Sequence, residues 1–226
     1  MNSVDKLLAE NKGWSHEIKQ RDPDYFQRMA KSQTPEYLWI GCSDSRVSAD
    51  IIMNLSPGEL FVQRNIANQV ITTDFNCLSV IQYAVQVLKV KHVIVCGHYK
   101  CGGIKAALEP FNPSLELTNK WLKHIKDVYR IHRAEIDKLE TMDQKTARLA
   151  ELNVIEQVRN LCHLSIIQNA WEQNNEPTIH GWVFDIGNGL LEQLVTIAPG
   201  WDIDPIYRNQ EVSSGVSHVV DLLKTA

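Results

Sequence analysis

Two short segments concentrate the side chains able to do chemistry: Gly41-Cys42-Ser43-Asp44-Ser45-Arg46 and, further along, Gly97-His98-Tyr99-Lys100-Cys101-Gly102-Gly103. Together they offer two thiols, one imidazole and one carboxylate. Cys-x-Asp and His-x-x-Cys can each turn two ligands towards one point. Two thiolates with an imidazole are a soft-to-borderline set that suits Zn²⁺. Gly97, Gly102 and Gly103 let the backbone turn tightly, and a helix beginning near Cys101 would aim its free amides at thiolate charge. The spacing differs from the paired Cys-x-x-Cys of zinc fingers, so residue types alone leave a second reading, in which Cys42 and Cys101 are buried apolar thiols.

Each segment follows a short apolar run. Tyr37–Gly41, Glu59–Val62 and His92–Cys96, separated by helical stretches, have the pattern of parallel strands covered on both faces, and open sheets build their sites at the carboxyl ends of such strands. Leu78, Ile81, Ala84, Val85 and Leu88 recur at helical spacing and predict the crossover helix before the third strand. Two long helices are expected between about 115 and 172. The first carries Leu117, Trp121, Ile125, Val128, His132 and Ile136 on one face, the second Leu152, Ile155, Val158, Cys162 and Ile166. After Pro177, Thr178–Phe184 alternates, Gly187-Asn188-Gly189 turns and Leu190–Ile197 returns, which reads as a β-hairpin. The fold class expected is α/β: a mostly parallel central β-sheet flanked by helices, with an N-terminal helical arm and a C-terminal β-hairpin extension. The arm, residues 1–34, carries Leu7, Leu8, Trp14, Tyr25, Phe26 and Met29. It is too short for a core of its own, so it is expected to lie on the rest of the chain or on a neighbouring subunit. Residues 35–226 are expected to form one zinc-binding domain, with a closing helix over Val212–Leu223.

Composition narrows the function. With 23 Lys+Arg against 27 Asp+Glu, the net charge of −4 provides no field for gathering nucleic acid or acidic lipid. No apolar run approaches the roughly 18 residues of a membrane span, and Asp5 and Lys6 stand where a signal peptide carries its apolar segment, so the expected location is cytoplasmic. An odd count of 5 cysteines argues against a disulfide framework. Cys77, Cys96 and Cys162 sit within helix or strand runs and read as buried thiols. His124, His132, His163 and His218 read as surface or packing residues; His16, His92 and His180 take no assignment, and the sequence does not identify a proton shuttle. The mixed charges between Lys120 and Arg148 read as a solvated face. No Walker lysine-serine pair follows Gly102-Gly103, which argues against nucleotide binding.

CSDSRV and CGHYKCGG, joined by LFVQRNIANQV, closely resemble the β-class carbonic anhydrases, specifically bacterial members, from about Asn11 to Phe184. The resemblance implies zinc held by Cys42, His98 and Cys101, with Asp44 and Arg46 as a dyad beside it. It also implies reversible hydration of carbon dioxide to bicarbonate and a proton by zinc-bound hydroxide. Two thiolates cancel the formal charge of Zn²⁺, so a second group must help to acidify water. Asp44, held ionised in a bidentate pair with Arg46, is suited to that role. Asp44 could instead take the fourth zinc position. One subclass resembled here switches between these arrangements with pH, and its tryptophan, glycine and arginine match Trp39, Gly41 and Arg64. The expectation is a pH-gated enzyme whose activity collapses below about pH 8.

In that subclass the same pocket binds regulatory bicarbonate with help from a tyrosine, where this chain has Phe184. One hydrogen bond of roughly 0.5–1.5 kcal/mol is therefore missing, and regulation should be weaker. The resemblance further implies substrate contacts from Gln33, reaching across a dimer interface, from Phe61, Ile66 and Tyr83 as apolar walls, and from Gly102. The partners implied are carbon dioxide and bicarbonate, and a homodimer pairing to a homotetramer. Two other functions share the zinc site: a non-catalytic module stapled by a closed tetrahedron, and hydrolysis of carbon disulfide or carbonyl sulfide.

Overall fold

The computed structural model describes residues 2–209. The helix expected over Val212–Leu223, with His218, lies outside the described residues. Five strands, β1 (Tyr37–Cys42), β2 (Leu60–Asn65), β3 (His92–His98), β4 (Thr178–Asp185) and β5 (Leu190–Ile197), form one sheet in the order β2-β1-β3-β4-β5. The first four run parallel, and β5 returns antiparallel to β4. The β4–β5 turn closes with Gly189 at φ +78°, its amide donating to the Asp185 carbonyl at 2.8 Å.

This order positions the site. The chain steps from β1 to one side for β2, then crosses back to place β3 on the other. The carboxyl ends of β1 and β3 therefore flank the point where the winding reverses, and a crevice opens there. Tyr37 pairs with both Leu60 and His92, so the three strands end at similar height.

The central strands are buried on both faces, as their continuous apolar runs predict. Leu38, Ile40, Val93, Val95 and Ile179 point into one core cluster. They pack there against α4 (Phe75–Gln82, running on as a π-helical turn Tyr83–Leu88), α8 (Met142–Cys162) and α9 (Ser165–Asn174). Trp39, Ile94, Cys96 and Phe184 point the opposite way, towards α3 (Ala49–Met53). A third cluster joins Cys42 and Cys101 to α5 (Gly102–Leu108), α6 (Glu116–Ile131) and α8. The predicted crossover helix is α4, burying Cys77, Ile81, Ala84 and Val85.

The two long helices expected between 115 and 172 are four. The first ends at His132, which leaves helical geometry at φ −101°, ψ 15°, and a single turn, α7 (Arg133–Ile136), follows. The face of α6 that is buried carries Leu122, Ile125 and Val128, whereas Leu117 is 79% exposed. The α8 helix starts from a capping box in which Thr141 and Gln144 satisfy each other's amides, and α9 is a separate helix after Cys162. Periodicity located these segments but not their breaks: the α6–α7 break falls beside the exposed Ile131, and the α8–α9 break interrupts a face that stays buried on both sides, at Leu161, Cys162 and Leu164. The arm folds as α1 (Ser3–Arg21) and α2 (Tyr25–Met29), joined by an edge-on contact of Trp14 with Phe26, and neither helix buries a residue. Among the described residues no helix is long and apolar enough to cross a membrane.

Candidate metal centre

Cys42 is the last residue of β1, His98 the last of β3, and Cys101 caps α5. Adjacent parallel strands lie about 4.8 Å apart, so residues ending them at one height are neighbours. Lys100, at φ +58°, turns the chain back to bring Cys101 alongside. The two sulfurs stand 3.9 Å apart, and with His98 the three ligand atoms all lie within 4.8 Å of one another, each residue buried.

The donor set fits a soft divalent metal. His98 Nδ1 lies 3.0 Å from the Tyr99 carbonyl, which can only accept, so Nδ1 carries the proton and Nε2 presents a lone pair. That Nε2 is buried and has no hydrogen-bond partner, although a polar atom left so pays a full desolvation cost. The two thiols are shifted in opposite directions. The nearby Cys101 thiol, His98 and the Ala67 amide outweigh burial and hold the pKa of Cys42 well below the usual value. Cys101 is pushed up by that neighbouring sulfur and by burial. A metal replacing the shared proton would relieve both.

Asp44 stands at the rim, its Oδ2 3.9 Å from His98 Nε2. Arg46 donates to it bidentately, Nε to Oδ1 at 2.9 Å and Nη2 to Oδ2 at 2.7 Å, and its backbone amide adds a third bond at 3.0 Å. The guanidinium holds this carboxyl far below the ordinary carboxylate range, so it is ionised and can only accept.

Arg64 donates to the carbonyls of Cys42 at 2.9 Å and Asp44 at 2.6 Å, bracing the ligand loop from β2. Trp39 is fully buried with Nε1 unpartnered, lying over Gly41. Phe184 belongs to the same apolar cluster as Trp39. Ile66 lies against Gly103, and a Cβ added at Gly102 would meet open space. Phe61 and Tyr83 stack on each other at 5.9 Å, with Phe61 packed on the cluster of Leu38 and Ile40 rather than on that of Cys42 and Cys101. Gln33 is exposed in the segment before β1. Cys77, Cys96 and Cys162 are buried, and burial pushes each thiol up. A cavity of about 680 Å³ between α9 and residues 200–209 shares no residue with the triad.

Tyr99 is a further residue of the site, one to which no sequence motif gives a role. Its phenol donates to Glu151 at 2.8 Å, Arg148 holds the same carboxylate, and its amide donates to the Phe184 carbonyl at 3.0 Å. The loop bearing two ligands is thus tied to α8 and β4. The available signal was position alone, between His98 and Cys101.

The carbonic anhydrase profile matches residues 37–191, the span from β1 into β5 that carries the whole triad. The chain belongs to the β-class carbonic anhydrase family. A carbonic anhydrase of Emericella nidulans is 49% identical over 93% of this chain and 92% of its own length. The expected resemblance to bacterial members specifically is not supported: the Pseudomonas aeruginosa carbonic anhydrase is 34% identical over 75% of this chain and 77% of its own length, less similar than that fungal enzyme. Among solved structures, the Coccomyxa β-carbonic anhydrase in complex with acetazolamide superposes with a TM-score of 0.83 at 41% identity, covering 88% of this chain and 89% of that one. A tetrameric β-carbonic anhydrase of Sordaria macrospora superposes equally well, TM-score 0.83 at 38% identity, over 88% and 100% of the two chains.

Proposed function

We propose that this protein catalyses the reversible hydration of carbon dioxide to bicarbonate and a proton, using Zn²⁺ held by Cys42, His98 and Cys101. The observation that carries the reading is the buried, unpartnered His98 Nε2 beside two thiols, with an ionised carboxylate 3.9 Å away. Zn²⁺ there would supply Lewis acidity, bringing deprotonation of water into the neutral range. The chain's residues do the rest. The Tyr99 carbonyl keeps His98 in the ligating tautomer. Asp44, an obligate acceptor while Arg46 keeps it ionised, takes a hydrogen bond from the reacting oxygen and thereby aims the oxygen's lone pair at carbon.

The finer reading is that Asp44 also gates the site, leaving Arg46 at low pH to become a fourth ligand. Its closeness to His98 Nε2 supports this, since the move needs a rotation rather than a rearrangement of β1. Trp39, Gly41 and Arg64 line the regulatory bicarbonate site. The unpartnered Trp39 indole N–H supports that part. The working form is a dimer paired into a tetramer, with arm residues 1–34 laid on the neighbour, Gln33 reaching the neighbour's site, and residues 35–226 forming the zinc-binding domain. Supporting it, Leu7 and Leu8 are 68% and 61% exposed on a helix that buries nothing in its own chain. Phe61, Ile66, Tyr83 and Gly102 would line the substrate pocket so completed. The location we assign is cytoplasmic.

Stopped-flow hydration of carbon dioxide across pH, on protein assayed for zinc, tests the reading. One zinc per chain and turnover that falls steeply below about pH 8 are expected. Asp44→Asn should keep its zinc and lose turnover by about 10²–10⁴-fold. Zinc-loaded protein inert in alkaline buffer would overturn the enzyme, and a rate flat from about pH 6.5 to 9 would overturn the gate alone.

A further inference from the structure

The amide of Ala67 reaches Cys42 Sγ at 3.4 Å, and its direction is imposed from outside the loop. Ala67 sits at φ +61°, a left-handed conformation that a non-glycine residue keeps only where its surroundings hold it. Two side chains from different helices do so, and Gln69 of the loop itself adds a longer bond of 3.4 Å to Ile66 O. The peptide unit whose N–H meets the sulfur has as its carbonyl Ile66 O, and the Trp121 indole on α6 donates to that oxygen at 2.8 Å. The next carbonyl, Ala67 O, accepts from Asn153 Nδ2 on α8 at 3.0 Å.

The orientation of Asn153 follows from donors and acceptors alone. The Val70 amide can only donate, and it meets Gln157 at 2.8 Å, which makes that atom the Gln157 oxygen. The Gln157 nitrogen therefore points to Asn153, at 3.1 Å, and the Asn153 atom it meets is its oxygen. The remaining Asn153 atom is the NH₂, facing Ala67 O. Asn153 and Gln157 are 0% and 2% exposed, in the middle of an otherwise apolar helix face, so neither can exchange these partners for water.

We propose that Trp121 and Asn153 are positioning residues of the metal centre, clamping the Ile66–Ala67 peptide so that its N–H is presented to the Cys42 sulfur. An N–H directed at a thiolate draws density from its lone pairs and sets what the sulfur can give a metal. Donation by Trp121 to the carbonyl of that same peptide polarises the unit and strengthens its N–H. Pairing the polar groups of a buried loop would not by itself require this, and the loop contains its own comparison. Asn160 on α8 donates to Val70 O at 3.0 Å and, at 3.3 Å, to the Gln157 oxygen, holding the same segment without touching the Ile66–Ala67 peptide.

The clamp rests on the zinc reading, and cobalt separates the two. In the full-length protein loaded with Co²⁺ in place of zinc, the sulfur-to-metal charge-transfer band in the near ultraviolet reports on thiolate density. Trp121→Phe, which keeps a ring but removes the N–H at a half-exposed position, should move this band to longer wavelength. Because the loop then no longer holds Cys42 in place, zinc retention against a chelator should also weaken by about 10–100-fold, outweighing the sulfur's greater donor strength. Asn153→Ala should act in the same direction; if it fails to fold, Trp121→Phe decides. Asn160→Ala should lower the melting temperature and leave the band in place. A folded Trp121→Phe protein with the native band and native zinc retention overturns the clamp, as does an equal shift in Asn160→Ala. Native protein that takes up no thiolate-bound cobalt overturns the metal site itself, and the clamp with it.

Discussion

Trp39 lies across the backbone of Gly41, its indole Nε1 2.1 Å from the place a β-carbon on that glycine would occupy. Trp39 is fully buried and cannot swing aside, so Gly41→Ala forces a shift in β1 one residue before Cys42. The expected loss is about 1–3 kcal/mol in denaturant melts, with weakened zinc binding. In a Trp39→Leu background the same substitution should be tolerated, giving a coupling of about 0.5–3 kcal/mol. Equal losses in both backgrounds would show that the indole is not the obstacle.

Arg46 holds Asp44 through two parallel bonds that lysine cannot reproduce. Arg46→Lys should retain zinc while kcat falls about 10–100-fold, because the carboxylate loses its orientation. Metal analysis and steady-state kinetics on one preparation check this. Loss of zinc in step with activity would mean the pair is structural.

Phe184 packs in the cluster of Trp39, whose indole nitrogen has no partner. Phe184→Tyr adds a hydroxyl there, and inhibition by bicarbonate should tighten by about 2–10-fold, the worth of one hydrogen bond. Unchanged inhibition constants would count against the regulatory site.

His163 stacks on Tyr207 at 3.9 Å, and burial, reinforced by Arg159, lowers its pKa from 6.5. The folded protein thus binds this proton less readily than the unfolded chain. The stability it contributes is present above pH 6.5 and is lost as pH falls through the lowered value. Melting temperatures at about pH 7.5 and 5 should therefore differ less in His163→Gln than in the native protein. A larger difference in the variant would reverse the sign.

On α1, Leu7 and Leu8 face away from their own chain. Replacing both with serine should shift the proposed dimer and tetramer towards smaller species in sedimentation, leaving the helical signal of the arm intact. An unchanged sedimentation profile would remove the arm from the interface.

Much of this was legible in the chain. The runs at Tyr37 and His92 read as strands because burial on both faces demands continuous apolar sequence, and they are β1 and β3; the run at Glu59 is β2, an edge strand whose Val62 is 43% exposed, so it is not covered on both faces. The hairpin after Pro177 was legible from its turn residues. The helix break at His132 was not, since exposed helix ends leave little trace in an apolar pattern. Arg64 read as a pocket residue, yet its guanidinium also braces two carbonyls of the ligand loop. Asn153 and Gln157 went unnoticed because a polar residue within an apolar stripe has meaning only once its partner is known.

The order of residues along the chain carries the elements and the chemical inventory: which segments extend, which coil, and which two loops carry thiols, an imidazole and a carboxylate. It took the folded arrangement to show that Cys42 and Cys101, 59 residues apart, bring their sulfurs to 3.9 Å, that His98 turns Nε2 towards them, and that the Asn153 side chain on α8 steers the Ala67 N–H onto one of them. The reason is that local spacing sets backbone periodicity, whereas convergence depends on strand order and register. Those follow from packing whole faces together, and no short window of sequence contains them.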